Sequence, residues 1–451
     1  MHPKYIKACR VCGLPNLVDI VDLGDQYLQG SFVKEGVIEP PRRKLYTRLV
    51  RCDVEAGGSA CGLVQLAHTF PPSVLYTNYW YRSGTNRTMR DHLREVVASA
   101  LDAIETPDRD LNVLDIGCND GTLLSCYPKG TNLFGVDPSD IAQGIDFPLT
   151  LINDTFPSEQ ARKAFEGIKF DAITAIAMFY DLEDPIDFAR EVATVLSENG
   201  LWIIEMSYLP LMLLQNSFDT ICHEHIEYYS LAVLEYLLAE ARLRVFRAEV
   251  NDINGGSIRC YVCHKDVNRF DRPEHERFLR RLRMMEFEMA LDTDQPYAAF
   301  RERIAELRED MRAVLKGLRS QGETIHIYGA STKGNVLLQY YGIDNTVVEA
   351  AAERNPHKVG GRTLGTDIPI ISEEESRSMG PKYYLVLPWH FKREFIHREY
   401  QLIRQGVTFI FPLPQIEFIN ANNVDRVLQE MDDASISMEQ MMFELVRKGR
   451  Q

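Results

Sequence analysis

The segment FDTICHEHIEYYSL sets His223, Glu224 and His225 side by side, after an apolar run, GLWIIEM, that reads as a buried strand. Two imidazoles and a carboxylate are the groups of acid–base chemistry. A histidine near its ordinary pKa takes a proton at neutral pH, and a neighbouring carboxylate orients the ring and stabilises the imidazolium, together contributing roughly 10² to 10⁴ in rate. On this reading His225 is the base, with Glu224 and His223 beside it. The same residues also read as a metal ligand set or a polar helix cap. Adjacent side chains diverge on a strand and fan out around a helix, which works against a shared ion. Tyr79 and Tyr81 in YWYRSG, with Tyr228 and Tyr229, can close a pocket and donate hydrogen bonds to a developing oxyanion, or simply pack.

A second group is built for a nucleoside. VLDIGCNDGTLL, Val113 to Leu124, predicts a buried strand, a glycine-containing turn and then a helix, and Asp137 closes the next strand-like run, NLFGVD. Gly117 and Gly121 let the backbone approach a ligand closely, and an acidic residue at the end of the second strand accepts hydrogen bonds from ribose hydroxyls. A nicotinamide enzyme places GxGxxG here. This chain has DxGxxxG, with Asp115 on the strand and Asn119 and Asp120 in the loop, and an acidic loop suits a ligand bearing an ammonium group better than a pyrophosphate. S-adenosyl-L-methionine (SAM) is such a ligand, and Asp154 and Met178 on the following strand ends can flank its two halves.

Cys9 and Cys12 form a CxxC knuckle, and Cys52 and Cys61 follow ahead of GLVQL. Four thiolates suit tetrahedral zinc with no open position, a structural rather than catalytic site; the bland alternative is four unrelated thiols. Cys260 and Cys263 share the spacing but lie in SIRCYVCHK, a predicted strand on which they point to opposite faces. Far along the chain, YGASTKGN (Tyr328 to Asn335) predicts a strand and a glycine-flanked turn carrying Lys333, and ERNPHK brings Arg354, His357 and Lys358 after the next strand. Backbone amides at a helix start, a lysine and an arginine can cradle the phosphates of a nucleotide, with Trp389 and His390 to stack on its base. A second lobe that merely packs is the alternative.

The scaffold behind these groups is read from periodicity. LNVLDIG, NLFGVD, FDAITAIAM and GLWIIEM alternate with helix-like stretches, the pattern of a parallel sheet covered on both faces. TIHIYGA, NTVVEAAAE, KYYLVLPW and VTFIFPLP repeat it. Between them, about Arg269 to Gln321, two amphipathic helices joined near Pro296 are predicted as a connector. The fold class is therefore α/β: a zinc-binding domain over 1–68, a Rossmann-like domain with the SAM-suited crevice over 69–268, a connector and second Rossmann-like domain over 269–415, and a helical tail over 416–451. The 451 residues carry 50 basic and 65 acidic side chains, a net charge of −15, which repels nucleic acid and anionic lipid. The start, MHPKYIKACR, lacks the apolar core of a signal peptide, no apolar run approaches the roughly 20 residues of a membrane span, and nine cysteines are an odd number; a cytoplasmic protein is expected.

The knuckles before GLVQL, YWYRSG, VLDIGCNDG, CHEHIEYYSL, YGASTKGNVLL, ERNPHKVG and LPWHF together resemble the deoxysugar C-methyltransferases, over nearly the whole chain. The resemblance implies three domains, SAM and structural zinc, and methylation at C3 of a nucleotide-linked 4-keto sugar. It implies that His225 removes the C3 proton, that Glu224 is the family's glutamate, and that Tyr79 is its active-site tyrosine, with Tyr81 the other candidate. Two positions depart: Cys222 stands where the family commonly has tyrosine, and Asp181, in MFYDLEDP, where it has histidine. Both belong to the sugar site, so the particular sugar is left open. Methyl transfer to oxygen or nitrogen, or a non-catalytic zinc-bearing binding module, are the competing readings.

Overall fold

The computed structural model describes residues 4–36, 42–71, 75, 81–104, 109–433 and 437–448. In chain order the strands are β1 (Lys4–Tyr5), β2 (Leu17–Gln26), β3 (Phe32–Val33), β4 (Leu45–Cys52), β5 (Val64–Leu66), β6 (His68–Thr69), β7 (Asn112–Ile116), β8 (Asn132–Val136), β9 (Thr150–Ile152), β10 (Phe170–Ile176), β11 (Leu196–Ser207), β12 (Glu227–Tyr228), β13 (Leu243–Asn251), β14 (Ser257–His264), β15 (Ile325–Tyr328), β16 (Ala350–Glu353), β17 (Arg362–Thr363), β18 (Ile370–Ser372), β19 (Tyr383–Val386), β20 (Thr408–Phe411) and β21 (Glu417–Ile419).

The apolar runs with no polar alternation became parallel strands buried on both faces, as covered sheets require. Seven form the central sheet, ordered β13-β14-β11-β10-β7-β8-β9, parallel from β11 to β9 and closed by the antiparallel pair β14 and β13. The strand order reverses between β7 and β10, so a crevice opens beyond their carboxyl ends. Cys260 and Cys263 do face opposite sides of β14: one lies in the core with Trp202 and Ile204, the other in the core under the helix Arg87–Ala103.

One feature of the expected cofactor motif is not formed. After the β7 loop the chain makes a single 3-10 turn, Leu124–Cys126, rather than a helix. Tyr127-Pro128 comes at once, and a residue before proline is driven out of the helical region; Tyr127 is extended at ψ 148°.

The distal sheet, β18-β16-β15-β19-β20-β21, repeats the doubly wound pattern with β21 antiparallel at its edge. The segment read as a helical tail thus begins with a strand, whose Phe418 and Ile419 pair with Ile410 and Phe409. The connector is two helices, Pro273–Glu288 and Gln295–Ser320, with Pro296 in the first turn of the second. The longer one buries Tyr297, Phe300, Ile304 and Met311 in a core shared with the distal lobe and with Ile20, Val21 and Leu49 of the N-terminal sheet β12-β5-β4-β2. That sheet takes its last strand, β12, from immediately after the HEH segment, so the cysteine-bearing region and the HEH loop fold as one piece.

Candidate active site

A single cavity of about 730 Å³ runs from the ends of β7 and β8 to the ends of β15 and β16. Its central end is lined by Asp115, Gly117, Asn119, Asp137, Asp154 and Met178; its distal end by Lys333, Arg354, Lys358 and His390; Glu224, His225, Tyr81 and Asp181 lie on it too. Tyr79 lies outside the described residues.

At the central end, Gly117 turns at φ +77° and donates to Val136 O at 2.8 Å, which brings the loop over the strand ends. A Cβ there would meet Met178 Cγ at 3.0 Å. Asp137 accepts from the Asn119 amide at 2.8 Å and from the Ser139 amide and hydroxyl at 2.8 and 2.5 Å, so it both holds the loop and keeps carboxylate lone pairs for a ligand. Asp115 accepts from Thr174 Oγ1 at 2.6 Å; burial, with the charge of Asp137 added, pushes its carboxyl up to about 7. Two loop residues serve other ends. Asp120 is used inside the protein, accepting from the Gly84 amide at 2.8 Å and the Thr122 hydroxyl at 2.6 Å, and so ties the loop to the start of the helix Arg87–Ala103. Gly121 is off the cavity: at φ +73°, a Cβ would meet Phe147 Cζ at 2.9 Å, so glycine serves packing there.

His225 is placed by its own loop. Its Nδ1 lies 3.0 Å from the Thr220 carbonyl oxygen, which can only accept, so Nδ1 carries the proton and Nε2 presents the lone pair. Its ring packs 4.2 Å from that of Tyr180, and burial, reinforced by the Lys333 charge, holds its pKa down at about 3. Burial pushes Glu224 up to about 7. Lys333 donates to the Asn254 carbonyl oxygen at 2.6 Å; burial lowers its pKa, with Asp219 opposing.

Several expected site residues point elsewhere. His223 is 1 % exposed and faces the N-terminal sheet, Nε2 3.2 Å from Thr47 Oγ1 and its ring 5.2 Å from Phe70, because the backbone turns between consecutive residues. Cys222 is wholly buried in the core beside Ile221 and Ile226. Tyr228 donates to the carbonyls of His225 and Thr220 at 2.9 and 3.3 Å, and Tyr229 to Glu227, so neither faces the cavity. Asn335 is 2 % exposed and donates to Gln29 O at 2.6 Å. His357 is exposed, and its carbonyl accepts from Lys34 Nζ at 2.6 Å. Trp389 is buried, donating from Nε1 to Asp219 at 2.9 Å; His390 alone of that pair reaches the cavity.

Sequence reasoning missed Gly30, Asn254, Glu205 and Glu353, all on the cavity. Glu353 closes β16 as Asp137 follows β8, and accepts from the Ala330, Arg354 and Asn355 amides at 2.9, 2.9 and 2.8 Å; the same strand-end rule, applied to AAAE, finds it. Glu205 is held by His92 at 2.5 Å and Arg259 at 2.7 Å. Residues this far apart give no local signal.

Away from the cavity, the Sγ atoms of Cys9, Cys12, Cys52 and Cys61 all lie within 4.8 Å of one another, with Cys9 and Cys61 at 3.5 Å and Cys12 and Cys52 at 3.4 Å. Tetrahedral Zn–S bonds of about 2.3 Å imply sulfurs about 3.8 Å apart, so this donor set fits zinc. Hydrogen bonds from Cys61 and Cys9 hold the Cys52 thiol down at about 4, while the same contact pushes Cys61 up.

Three family models match in succession: a zinc binding domain over residues 9–76, a methyltransferase domain over 86–247, and a C-methyltransferase C-terminal domain over 252–414. Fold, cysteine cluster and these matches define the chain as a class I SAM-dependent methyltransferase with an N-terminal zinc-binding domain. It is similar to the C-methyltransferase NovU of Streptomyces niveus, 29% identical over 424 residues, 93% of this chain and 98% of the relative. Among solved structures it resembles a methyltransferase in complex with the Haloferax volcanii Trm112 activator (TM-score 0.33, 16% identity, 40% of this chain, 94% of that one). It also resembles the magnesium protoporphyrin IX methyltransferase of Synechocystis PCC 6803 with bound SAM (TM-score 0.29, 13% identity, 39% and 79%).

Proposed function

We propose that this enzyme methylates carbon, and that its acceptor is a nucleotide-linked 4-keto sugar methylated at C3. The single cavity carries this reading: it joins an acidic crevice, a neutral base with its lone pair free, and a crevice with cationic side chains. The description of NovU as a C-methyltransferase and the C-methyltransferase C-terminal domain match favour carbon over oxygen or nitrogen.

SAM fits the central crevice, where Asp115, Asp137 and Asp154 suit its ammonium group and ribose, and it supplies a methyl group on a positively charged sulfur. Lys333, Arg354 and Lys358 would hold the acceptor's diphosphate. The C4 ketone acidifies the C3 hydrogen; His225 Nε2 takes that proton, and the electron pair moves to the C4 oxygen. Glu224, half-protonated near pH 7, can donate a hydrogen bond to that oxygen. The imidazolium forms as the enolate's negative charge appears beside it, and their attraction repays the cost of charging a buried ring. C3 then forms its bond to the methyl carbon as the carbon–sulfur bond breaks. The proton stays on His225 until it returns to solvent. Tyr79 or Tyr81 would close the chamber, with Asp181 beside the sugar.

In this scheme residues 1–68 bind zinc, 69–268 hold SAM and 269–415 hold the nucleotide; beyond them β21 and the helix Val424–Asp433 complete the distal lobe, while the helix Met438–Lys448 buries Met442 and Val446 in the core of the central domain. Among the described residues no helix is long and apolar enough to cross a membrane, and we place the reaction in the cytoplasm. His225→Ala should lower turnover at least 10²-fold while SAM affinity is unchanged. Carbon NMR of product made with a labelled methyl donor is the deciding measurement. A methyl on oxygen or nitrogen keeps the enzyme class and removes the enolate step; full turnover by the variant removes His225 as base.

A further inference from the structure

Gly30 lacks the usual reason for a glycine. Its φ is not positive, so the left-handed conformation that favours glycine is not the reason for it. Space does not: a Cβ at position 30 would stand 1.7 Å from Glu224 Oε1 and 2.8 Å from its Cδ. The Glu224 side chain is the flexible partner, so any larger residue displaces the carboxylate rather than the backbone.

The turn that carries Gly30 is held from both sides. Gln29 Oε1 accepts from the His223 amide at 3.1 Å, which fixes the loop just ahead of Glu224, and Gln29 Nε2 donates to Gln26 at 2.9 Å. From the distal lobe, Asn335 Nδ2 donates to Gln29 O at 2.6 Å, and Gln339 exchanges hydrogen bonds with the Tyr27 backbone at 2.6 and 3.3 Å. Two residues on, β3 pairs with β17. A segment of the zinc-bearing region is thus wedged between the catalytic loop and the distal lobe, touching Glu224 at its tip.

We propose that the Gln29–Gly30 turn is a positioning element that sets the Glu224 carboxylate in the cavity, with Asn335 as its anchor in the distal lobe. The proposal rests on the reading of Glu224 above. It gives the zinc-bearing region a part in turnover and gives Asn335 a role through Gln29 instead of through the acceptor.

The test is a double-mutant cycle of Gly30→Ala and Glu224→Ala, read as steady-state kcat and KM for transfer of a labelled methyl group. Gly30→Ala alone should lower kcat roughly ten- to hundredfold, with SAM affinity and zinc content unchanged, and should move the pH inflection that Glu224 gives near neutrality. In the Glu224→Ala background the same change should cost less than about twofold. Equal losses in both backgrounds would make Gly30 merely structural, and an acceptor KM raised equally in both would make it a ligand contact; either overturns the proposal. Glu224→Ala with wild-type turnover would instead overturn the role of Glu224 itself. If Gly30→Ala does not fold, Asn335→Ala serves in the same cycle, with a smaller loss that should also vanish when Glu224 is absent.

Discussion

In the central sheet Gly117 leaves β7 at φ +77° and donates to Val136 O at 2.8 Å; in the distal sheet Gly329 leaves β15 at φ +82° and donates to Ala352 O at 2.8 Å. One step further, Asp137 accepts the Asn119 amide at 2.8 Å, and Glu353 accepts the Ala330 amide at 2.9 Å. From there the two crevices diverge. The central loop ends in one 3-10 turn and is faced by Asp115, Asp137 and Asp154. The distal loop enters the helix Thr332–Tyr341 directly, capped by Ser331 on the Gly334 amide at 3.0 Å, and is faced by Lys333, Arg354 and Lys358. The strand order fixes where a ligand can lie in both. The segment after each loop fixes the sign of the charge that ligand can carry: a helix start with lysine and arginine favours an anion, three carboxyls favour a cation.

Breaking one crevice should spare the other. Asp137→Ala leaves the Asn119 amide and Ser139 without their acceptor, and should weaken SAM binding about 10²-fold, roughly 3 kcal/mol, with acceptor binding unchanged by calorimetry. A matching loss of acceptor affinity would show that the two crevices are one coupled site. Arg354→Ala should raise the acceptor's KM about tenfold, roughly 1.4 kcal/mol, and flatten its salt dependence, because an exposed guanidinium acts through screened charge. SAM affinity should not move; if it does, the sign of charge is not partitioned as the two loops suggest.

Much of this contrast was legible in the chain. Buried parallel strands have no alternation to confuse, so VLDIG and TIHIY announced themselves, and the acidic residue after the second strand marks the ligand's edge. The helix expected after NDGTLL failed because Tyr127-Pro128 ends it within one turn, a stop signal present in the sequence and outweighed by the apolar residues before it. Side-chain direction was the harder part. HEH names three chemical groups, yet the turn sends His223 to Thr47 and leaves Glu224 and His225 on the cavity, and nothing local distinguishes them. Asn335 was expected at the acceptor because it closes the YGASTKGN turn; Thr332 and Lys333 of that turn do line the cavity, but Asn335 sits on the helix face that meets Gln29. Gly30 lay beyond reach altogether, since its partner is nearly two hundred residues away.

The finest distinction between the crevices is the direction in which each responds to pH. Asp115 is pushed up to about 7 by burial, so near neutrality it is only partly ionised, and a cationic ligand binds its charged form better than its neutral one. SAM binding should therefore strengthen a few-fold between about pH 6 and 8 and release protons, seen as a dependence of the binding enthalpy on buffer ionisation. Burial moves Lys333 and Lys358 downward, so rising pH removes positive charge from the distal crevice and weakens an anionic acceptor. The two ligands should respond with opposite slopes. Asp115→Asn fixes the position in its uncharged form and should flatten the SAM slope at the weaker, low-pH affinity while leaving the acceptor's slope alone. A SAM affinity that stays level or falls with pH in the unmodified enzyme would mean that the central crevice is tuned for shape rather than for charge, and the contrast with the distal one would then rest on Lys333, Arg354 and Lys358 alone.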